Sequence, residues 1–370
     1  MRIGVMLRHY DQHGGGVKVY TREILRAMLA LRPAHEFVFL FNDDRLTGNY
    51  RDHGNVTEVV VPGKSVLWWD QVGTALAVRR HGIDVLYNPK YSIPLAVGCP
   101  TAWVCHGLDW YVMPQASRWI DRLSHRFLVP RYANKADAII AVSEITREHV
   151  MHYLHVPARR VHTVYSGVSD TYSIQVDEAT RKSVRERYRL PARYFLYAGA
   201  IYPPKNFTRM VRAYAKVGPP RGIHLVIAGG ENRFLSEHEL EEPKRAGIDQ
   251  WVHWAGWVDT HTLPALYQMA EALLLPSLFE SFGLPIVEAM SSGCPVVTSD
   301  CYGTKEIGAG AAILVDPLSI DAIAAGMVEA VENGPLRASL ISAGRERSRR
   351  FTWNSCAAQT LAVLEQAHAA

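Results

Sequence analysis

The sequence predicts an α/β chain built as two Rossmann-like domains with parallel sheets, and three observations predict it. Apolar strand-like runs alternate with helical patterns from one end to the other, which argues for parallel strands with helices on both faces. At 370 residues the chain exceeds one typical core and suits two domains of about 150–200 residues. Each half also carries its own strand–helix series. In the first half strands are expected near 2–7, 36–41, 57–61, 84–87, 101–105 and 138–142; in the second, near 194–198, 223–228, 271–275, 295–298 and 312–315. A strand ending at Val164 is followed by a polar, charged stretch between Val168 and Leu190, so the division is placed at 1–170 and 171–352.

Composition narrows the class. Apolar residues make up 48% and charged residues 21%, the balance of an ordinary globular protein rather than a disordered or membrane-spanning one. No apolar stretch approaches the roughly 20 residues of a transmembrane helix. The start, MRIGVMLRHY, is too short and polar for a signal peptide and reads as the first buried strand. Five cysteines without a Cys-x-x-Cys pair suggest structural thiols in a reducing, cytoplasmic compartment. The net charge of +4 is uneven: residues 1–170 hold 20 Lys+Arg against 15 Asp+Glu, residues 171–370 hold 20 against 21. A basic first half fits anionic lipid or a phosphorylated acceptor, and no nucleic-acid partner is expected.

The densest chemistry lies in PSLFESFGLPIVEAMSSGCPVV, Pro276 to Val297. The run Ala272–Leu275 reads as a buried strand that empties into a loop carrying Glu280. Gly283 permits a sharp turn, Pro285 stands at the expected first helical position, Ile286 to Ser292 form a short helix, Gly293 ends it, and Pro295-Val296-Val297 begin the next strand. Free amides at Gly283, Leu284 and Ile286 and the helix dipole favour a phosphate. Glu288, one turn in, is placed to accept hydrogen bonds from a ribose diol, and Glu280 from a second polyol. Phosphate, ribose and sugar side by side describe a nucleotide sugar.

Two glutamates with seven residues between them, in the frame P-S-x-x-E-x-F-G-L-P-x-x-E-A-M-x-x-G-x-P-V-V, resemble the signature of family 4 glycosyltransferases. The resemblance implies a retaining enzyme of the GT-B fold, two Rossmann-like domains with parallel sheets facing each other across a cleft. Residues 1–170 would be the acceptor domain and 171–352 the nucleotide-sugar domain, with a last helix, 353–370, packed back on the first. The segment Leu67-Trp68-Trp69-Asp70-Gln71 resembles a clade that includes mannosyltransferases of surface polysaccharide assembly, which points to GDP-mannose.

Further motifs fall in register with that family. Gly14-Gly15-Gly16 follows the first strand at the mouth of a helix starting near Val17; the resemblance puts Gly15 and Gly16 against the donor's diphosphate or sugar. His106 leaves the carboxyl end of strand 101–105, where ligands of parallel sheets bind, and the resemblance gives it a contact with the donor sugar; Asp109 is nearby but not singled out. In YAGAIYPPKNFTRMV, Lys205 is placed to neutralise a departing diphosphate. Family members often add an arginine where this chain has Ala200 or Pro204, and Arg209, one helical turn on, is the substitute. GGE at 229–231 and WAGWV at 254–258 match elements that frame the base, largely through backbone around Val258; Glu306 falls where the family keeps an acid.

No Asp-x-Asp between apolar residues, no His-Glu-x-x-His and no metal spacing among the sixteen histidines occur, so no metal or other cofactor is expected. Lys205, arginine and helix dipoles would disperse leaving-group charge instead. In 116–135, ASRWIDRLSHRFLVPRYANK, Arg118, Arg122 and Arg126 share a stripe beside Trp119, Leu123 and Phe127. That apolar stripe is either core with an arginine rim or a surface for anionic membrane. The expected activity is retaining transfer of a hexosyl group from a nucleotide sugar to a glycan or lipid-linked acceptor. A degenerate, non-catalytic assembly subunit or an epimerase of the same fold are the alternatives.

Overall fold

A computed structural model of the chain describes residues 1–8, 10, 15–31, 34–63, 65–116, 119–229 and 237–370. Of the sequence motifs, Gly14, Arg118, Gly230 and Glu231 lie outside the described residues. The chain divides into two compact units: Met1–Gly167 with Trp353–Ala370, and Val168–Thr352.

The first unit is built on seven parallel strands: β1 (Arg2–Met6), β2 (Glu36–Phe41), β3 (Val56–Val60), β4 (Val85–Asn88), β5 (Thr101–Cys105), β6 (Ala138–Ala141) and β7 (Val161–Thr163). Their order is β3-β2-β1-β4-β5-β6-β7. Strands buried on both faces need near-continuous apolar sequence, and TAWVC, AIIA and EFVFLF supply it. The helix Gly16–Ala30 covers one face and carries the C-terminal helix Trp353–Ala369, with Tyr20 edge-on to Trp353 at 5.7 Å.

The second unit holds six parallel strands: β8 (Tyr194–Ala198), β9 (His224–Ala228), β10 (Val252–Gly256), β11 (Ala272–Leu275), β12 (Val296–Ser299) and β13 (Ile313–Val315), in the order β10-β9-β8-β11-β12-β13. The polar stretch after Val168 belongs to this unit and is structured: it contains a turn of 3-10 helix at Asp170–Ser173 and the helix Glu178–Arg187, capped by Asp177.

Both sheets reverse their winding once, between β1 and β4 in the first and between β8 and β11 in the second. Loops leaving the carboxyl ends on either side of such a reversal diverge and open a crevice, where α/β sheets bind ligands. The two reversals therefore say where to look in each unit.

Candidate functional site

In the second unit the loops flanking the reversal are 199–206, after β8, and 276–283, after β11. The backbone ties them: the Leu278 amide donates to the Pro204 carbonyl at 2.7 Å. Asn206, held at φ 59°, donates from Nδ2 to the carbonyls of Pro276 (2.8 Å) and Pro317 (2.7 Å). These bonds set Lys205 and Glu280 against each other as a buried ion pair, Lys205 Nζ donating to Glu280 Oε1. Ser277 Oγ donates to the same carboxylate oxygen at 3.0 Å. Burial alone would lower the Lys205 pKa, but Glu280, helped by Tyr202, outweighs it and raises the pKa above the ordinary lysine value. The lysine is a fixed cation. Arg209, half-buried one turn into the helix Phe207–Val217, donates to Asn206 Oδ1 at 3.1 Å and has no carboxylate partner among the described residues.

The helix after the second loop is Leu284–Ser291, so it begins two residues before the expected Ile286, and Pro285 is its second residue rather than its first. Gly283 caps it at φ 88°, ψ 63°, a left-handed conformation that a side chain would strain. The expected set of free amides needs one correction: the Ile286 N–H is taken by the Gly283 carbonyl at 2.9 Å, because the first turn tightens. Those of Gly283 and Leu284 find no partner among the described residues. From the first turn of the next helix, Tyr302–Gly308, the Gly303 amide donates to the Glu280 carbonyl at 2.9 Å.

Glu288 is half-buried on the helix Leu284–Ser291, and Tyr267 donates to its Oε2 at 2.8 Å. Burial pushes its carboxyl up to about 7, against hydrogen bonds from Tyr267 and Tyr172 that lower it. Sequence reading missed both tyrosines and Ser277 as supports. Ser277 was visible inside the quoted frame; Tyr172 and Tyr267 are far from Glu288 in sequence, and no local pattern joins them to it. Val258 is buried just past β10, which ends in a register shift between Trp254 and Gly256. Glu306 lies in the Tyr302–Gly308 helix, where its carbonyl accepts from Arg347 at 2.5 Å.

In the first unit Gly15 caps the helix Gly16–Ala30 at φ 107°, its carbonyl accepting from the Lys18 and Val19 amides at 3.0 Å; the helix begins one residue before the expected Val17. His106 is half-buried beyond β5, with Nε2 at 2.7 Å from the Pro89 carbonyl. A carbonyl only accepts, so Nε2 carries the proton. Burial pushes the imidazole pKa down to about 4, which outweighs the Pro89 bond, and the ring is neutral at pH 7. It stands edge-on to Tyr20 at 4.7 Å.

The stripe on the helix Trp119–Lys135 is not core: Trp119, Leu123 and Phe127 are 66%, 63% and 57% exposed. Among the described residues no three His, Cys, Asp or Glu side chains gather to hold a metal ion, and no helix is long and apolar enough to cross a membrane.

A family model described as glycosyl transferases group 1 matches residues 180–347, and one described as glycosyltransferase family 4 matches residues 14–172. O-antigen chain mannosyltransferase B of Escherichia coli is 29% identical over 78% of this chain and 75% of its own length. The GDP-mannose-dependent α-(1-6)-phosphatidylinositol monomannoside mannosyltransferase of Mycobacterium tuberculosis is 24% identical over 97% of this chain and 96% of its own. Two other curated relatives are spanned over only 56% and 60% of their length. HepE of Anabaena, solved with UDP and glucose, superposes with a TM-score of 0.78 at 18% identity, covering 99% of this chain and all of that one.

Proposed function

The chain belongs to glycosyltransferase family 4, with two Rossmann-like α/β domains of the GT-B type, and we propose that it moves a mannosyl group from GDP-mannose to an acceptor hydroxyl with retention at the anomeric carbon. The observation that carries this reading is the arrangement around Gly283. A helix start with two open amides has a buried Lys205–Glu280 pair on one side and Glu288 on the other.

In this reading the Gly283 and Leu284 amides and the Lys205 and Arg209 cations take the diphosphate, so that charge developing on the leaving group meets fixed positive charge without a metal. Glu288 accepts from the ribose hydroxyls, the backbone at Val258 frames the base, and Glu280, with Lys205 and Ser277 holding it, positions the sugar. His106 has only Nδ1 left over, as an acceptor for a sugar hydroxyl; Gly15 and Gly16 admit the ligand's close approach. The bond from the anomeric carbon to the phosphate oxygen breaks, and the bond to the acceptor oxygen forms on the same face. The departing phosphate oxygen takes the acceptor's proton, so no dedicated base is required.

The mannosyl-transferring relatives, one of them named as GDP-mannose-dependent, and the Leu67–Gln71 segment support GDP-mannose as donor, and the same relatives support a glycan or lipid-linked acceptor of polysaccharide or glycolipid assembly. The solvent-facing Trp119, Leu123 and Phe127 beside Arg122 and Arg126 support action at the cytoplasmic face of an anionic membrane.

Acceptor-free hydrolysis of GDP-mannose, followed by proton NMR with EDTA present, tests the reaction. Release of α-mannose first is expected. Release of β-mannose contradicts retention, and an intact GDP-mannose alongside consumption of another nucleotide sugar contradicts the donor.

A further inference from the structure

Among the described residues, four other than glycine hold a left-handed backbone: His155, Arg189, Asn206 and Tyr302, at φ 54°, 50°, 59° and 45°. Three have ordinary reasons. His155 and Arg189 close the helices Glu144–Leu154 and Glu178–Arg187, where a left-handed residue lets the chain leave the helix. Asparagine tolerates this region, and the Asn206 side chain donates to two carbonyls. Tyr302 has neither reason. It opens the helix Tyr302–Gly308, and for so bulky a residue the conformation is strained.

What holds Tyr302 there is the loop that carries Glu280. The next residue, Gly303, donates its amide to the Glu280 carbonyl at 2.9 Å, and a Cβ on it would stand 2.4 Å from the Ser281 carbonyl oxygen. The backbones at 280–281 and at 303 therefore touch. On the same side, Ser299 Oγ donates to the Ser277 carbonyl at 2.6 Å, and Cys301 Sγ reaches the carbonyls of Ser277 and Leu278 at 3.8 Å. The Tyr302 ring closes this grip, edge-on to Phe279 with centroids 5.1 Å apart, and Phe279 is buried directly before Glu280. The Pro204 carbonyl, accepting from the Leu278 amide, holds the loop from its other flank.

A glycine at 302 would adopt the same φ without strain. What tyrosine adds over glycine is the ring, and the ring packs on Phe279. Lys205 and Ser277 both donate to Oε1 of Glu280, so the aim of Oε2 follows from the backbone of the loop. We infer that Tyr302 is a positioning residue: its ring, pressed on Phe279 from a strained backbone, fixes the loop 277–281 so that Glu280 Oε2 meets the hydroxyls of the donor's sugar. The sugar in this statement rests on the transferase reading; the grip on the loop does not. Where positioning carries catalysis, a misplacement of about 1 Å costs about a hundredfold in rate.

Tyr302→Phe, Tyr302→Ala and Tyr302→Gly separate ring from strain in the full-length protein. The readings are the thermal midpoint, hydrogen exchange of the 277–282 segment by mass spectrometry, kcat for acceptor-free GDP-mannose hydrolysis, and GDP affinity by calorimetry. The Phe variant keeps the ring and is expected to match the wild type in all of them. The Ala and Gly variants lose it: exchange of the segment rises several-fold, and kcat falls about tenfold or more while GDP affinity holds. Only the Gly variant relieves the strain, so it melts above the Ala variant. Wild-type exchange or wild-type kcat in the Gly variant overturns the proposal. So does a loss of GDP affinity as large as the loss of kcat, which is general damage to the site. An Ala variant that melts as high as the Gly variant overturns the strained clamp. If no variant or wild type turns over GDP-mannose, yet exchange rises in Ala and Gly and is normal in Phe, the grip on the loop stands and the transferase reading falls.

Discussion

Glu288 combines a functional position with a measurable cost. Its carboxyl is raised to about 7 by burial, so the folded state holds a proton that the unfolded chain releases near the ordinary glutamate value of 4.5. Stability from this group is therefore present below pH 4.5 and is lost as pH rises through 7; above that the ionised carboxylate burdens the fold by about 3 kcal/mol. Glu288→Gln is expected to match the wild type at pH 5 and to melt higher at pH 8, measured by thermal unfolding. An unchanged gap between the two pH values contradicts the burial account. If ribose hydroxyls donate to Glu288, nucleotide affinity falls as pH drops below 7 in the wild type and stays flat in the Gln variant. Lys205 and Glu280 behave differently, because each neutralises the other. Lys205→Met leaves a buried carboxylate alone and is expected to cost about 3–5 kcal/mol in denaturant unfolding. Adding Glu280→Gln should recover part of that loss while catalysis stays abolished; a double variant no more stable than the single one argues against direct coupling.

Packing of elements depends on close backbone approaches that only small residues permit. A Cβ at Gly303 would stand 2.4 Å from the Ser281 carbonyl oxygen and 2.7 Å from that of Glu280. Gly303→Ala is thus expected to cost about 1–3 kcal/mol and to lower nucleotide affinity with it, read by unfolding and titration calorimetry. Strand positions were legible because strands buried on both faces must be apolar throughout, as in ALLL of β11 and AIIA of β6. The strand β10, VHWAG, was not anticipated: it is an edge strand in which only Val252 is buried and Trp254 is exposed, and it ends at a glycine irregularity. The loop carrying Glu280 and the helix carrying Glu288 were legible because glycine and proline punctuate them within a few residues. What holds those glutamates was not: Tyr267 reaches Glu288 from the preceding helix, and Lys205 reaches Glu280 across 75 residues of chain, although its own motif was recognised. Local spacing carries turns and caps, whereas pairing across a sheet's reversal depends on strand order.

At the scale of the whole molecule, the exposed stripe on Trp119–Lys135 gives the chain a surface that a soluble acceptor would not require. Binding to anionic vesicles that weakens with salt is expected, and Leu123→Ser with Phe127→Ser should abolish it in a sedimentation assay. Vesicle binding at low salt that survives the double substitution places the interface elsewhere. In the proposed reading the second unit is a nucleotide-sugar site centred on Gly283. Its most direct test is a thermal-shift panel of GDP, UDP, ADP and their common sugars, run on the wild type and on Glu288→Ala. At a hundred times its dissociation constant a ligand adds about 2.7 kcal/mol of stability, a shift that is easily resolved. A raised midpoint with GDP and GDP-mannose that Glu288→Ala loses is expected. Flat traces across the panel, or a nucleotide shift that the variant retains in full, contradict it.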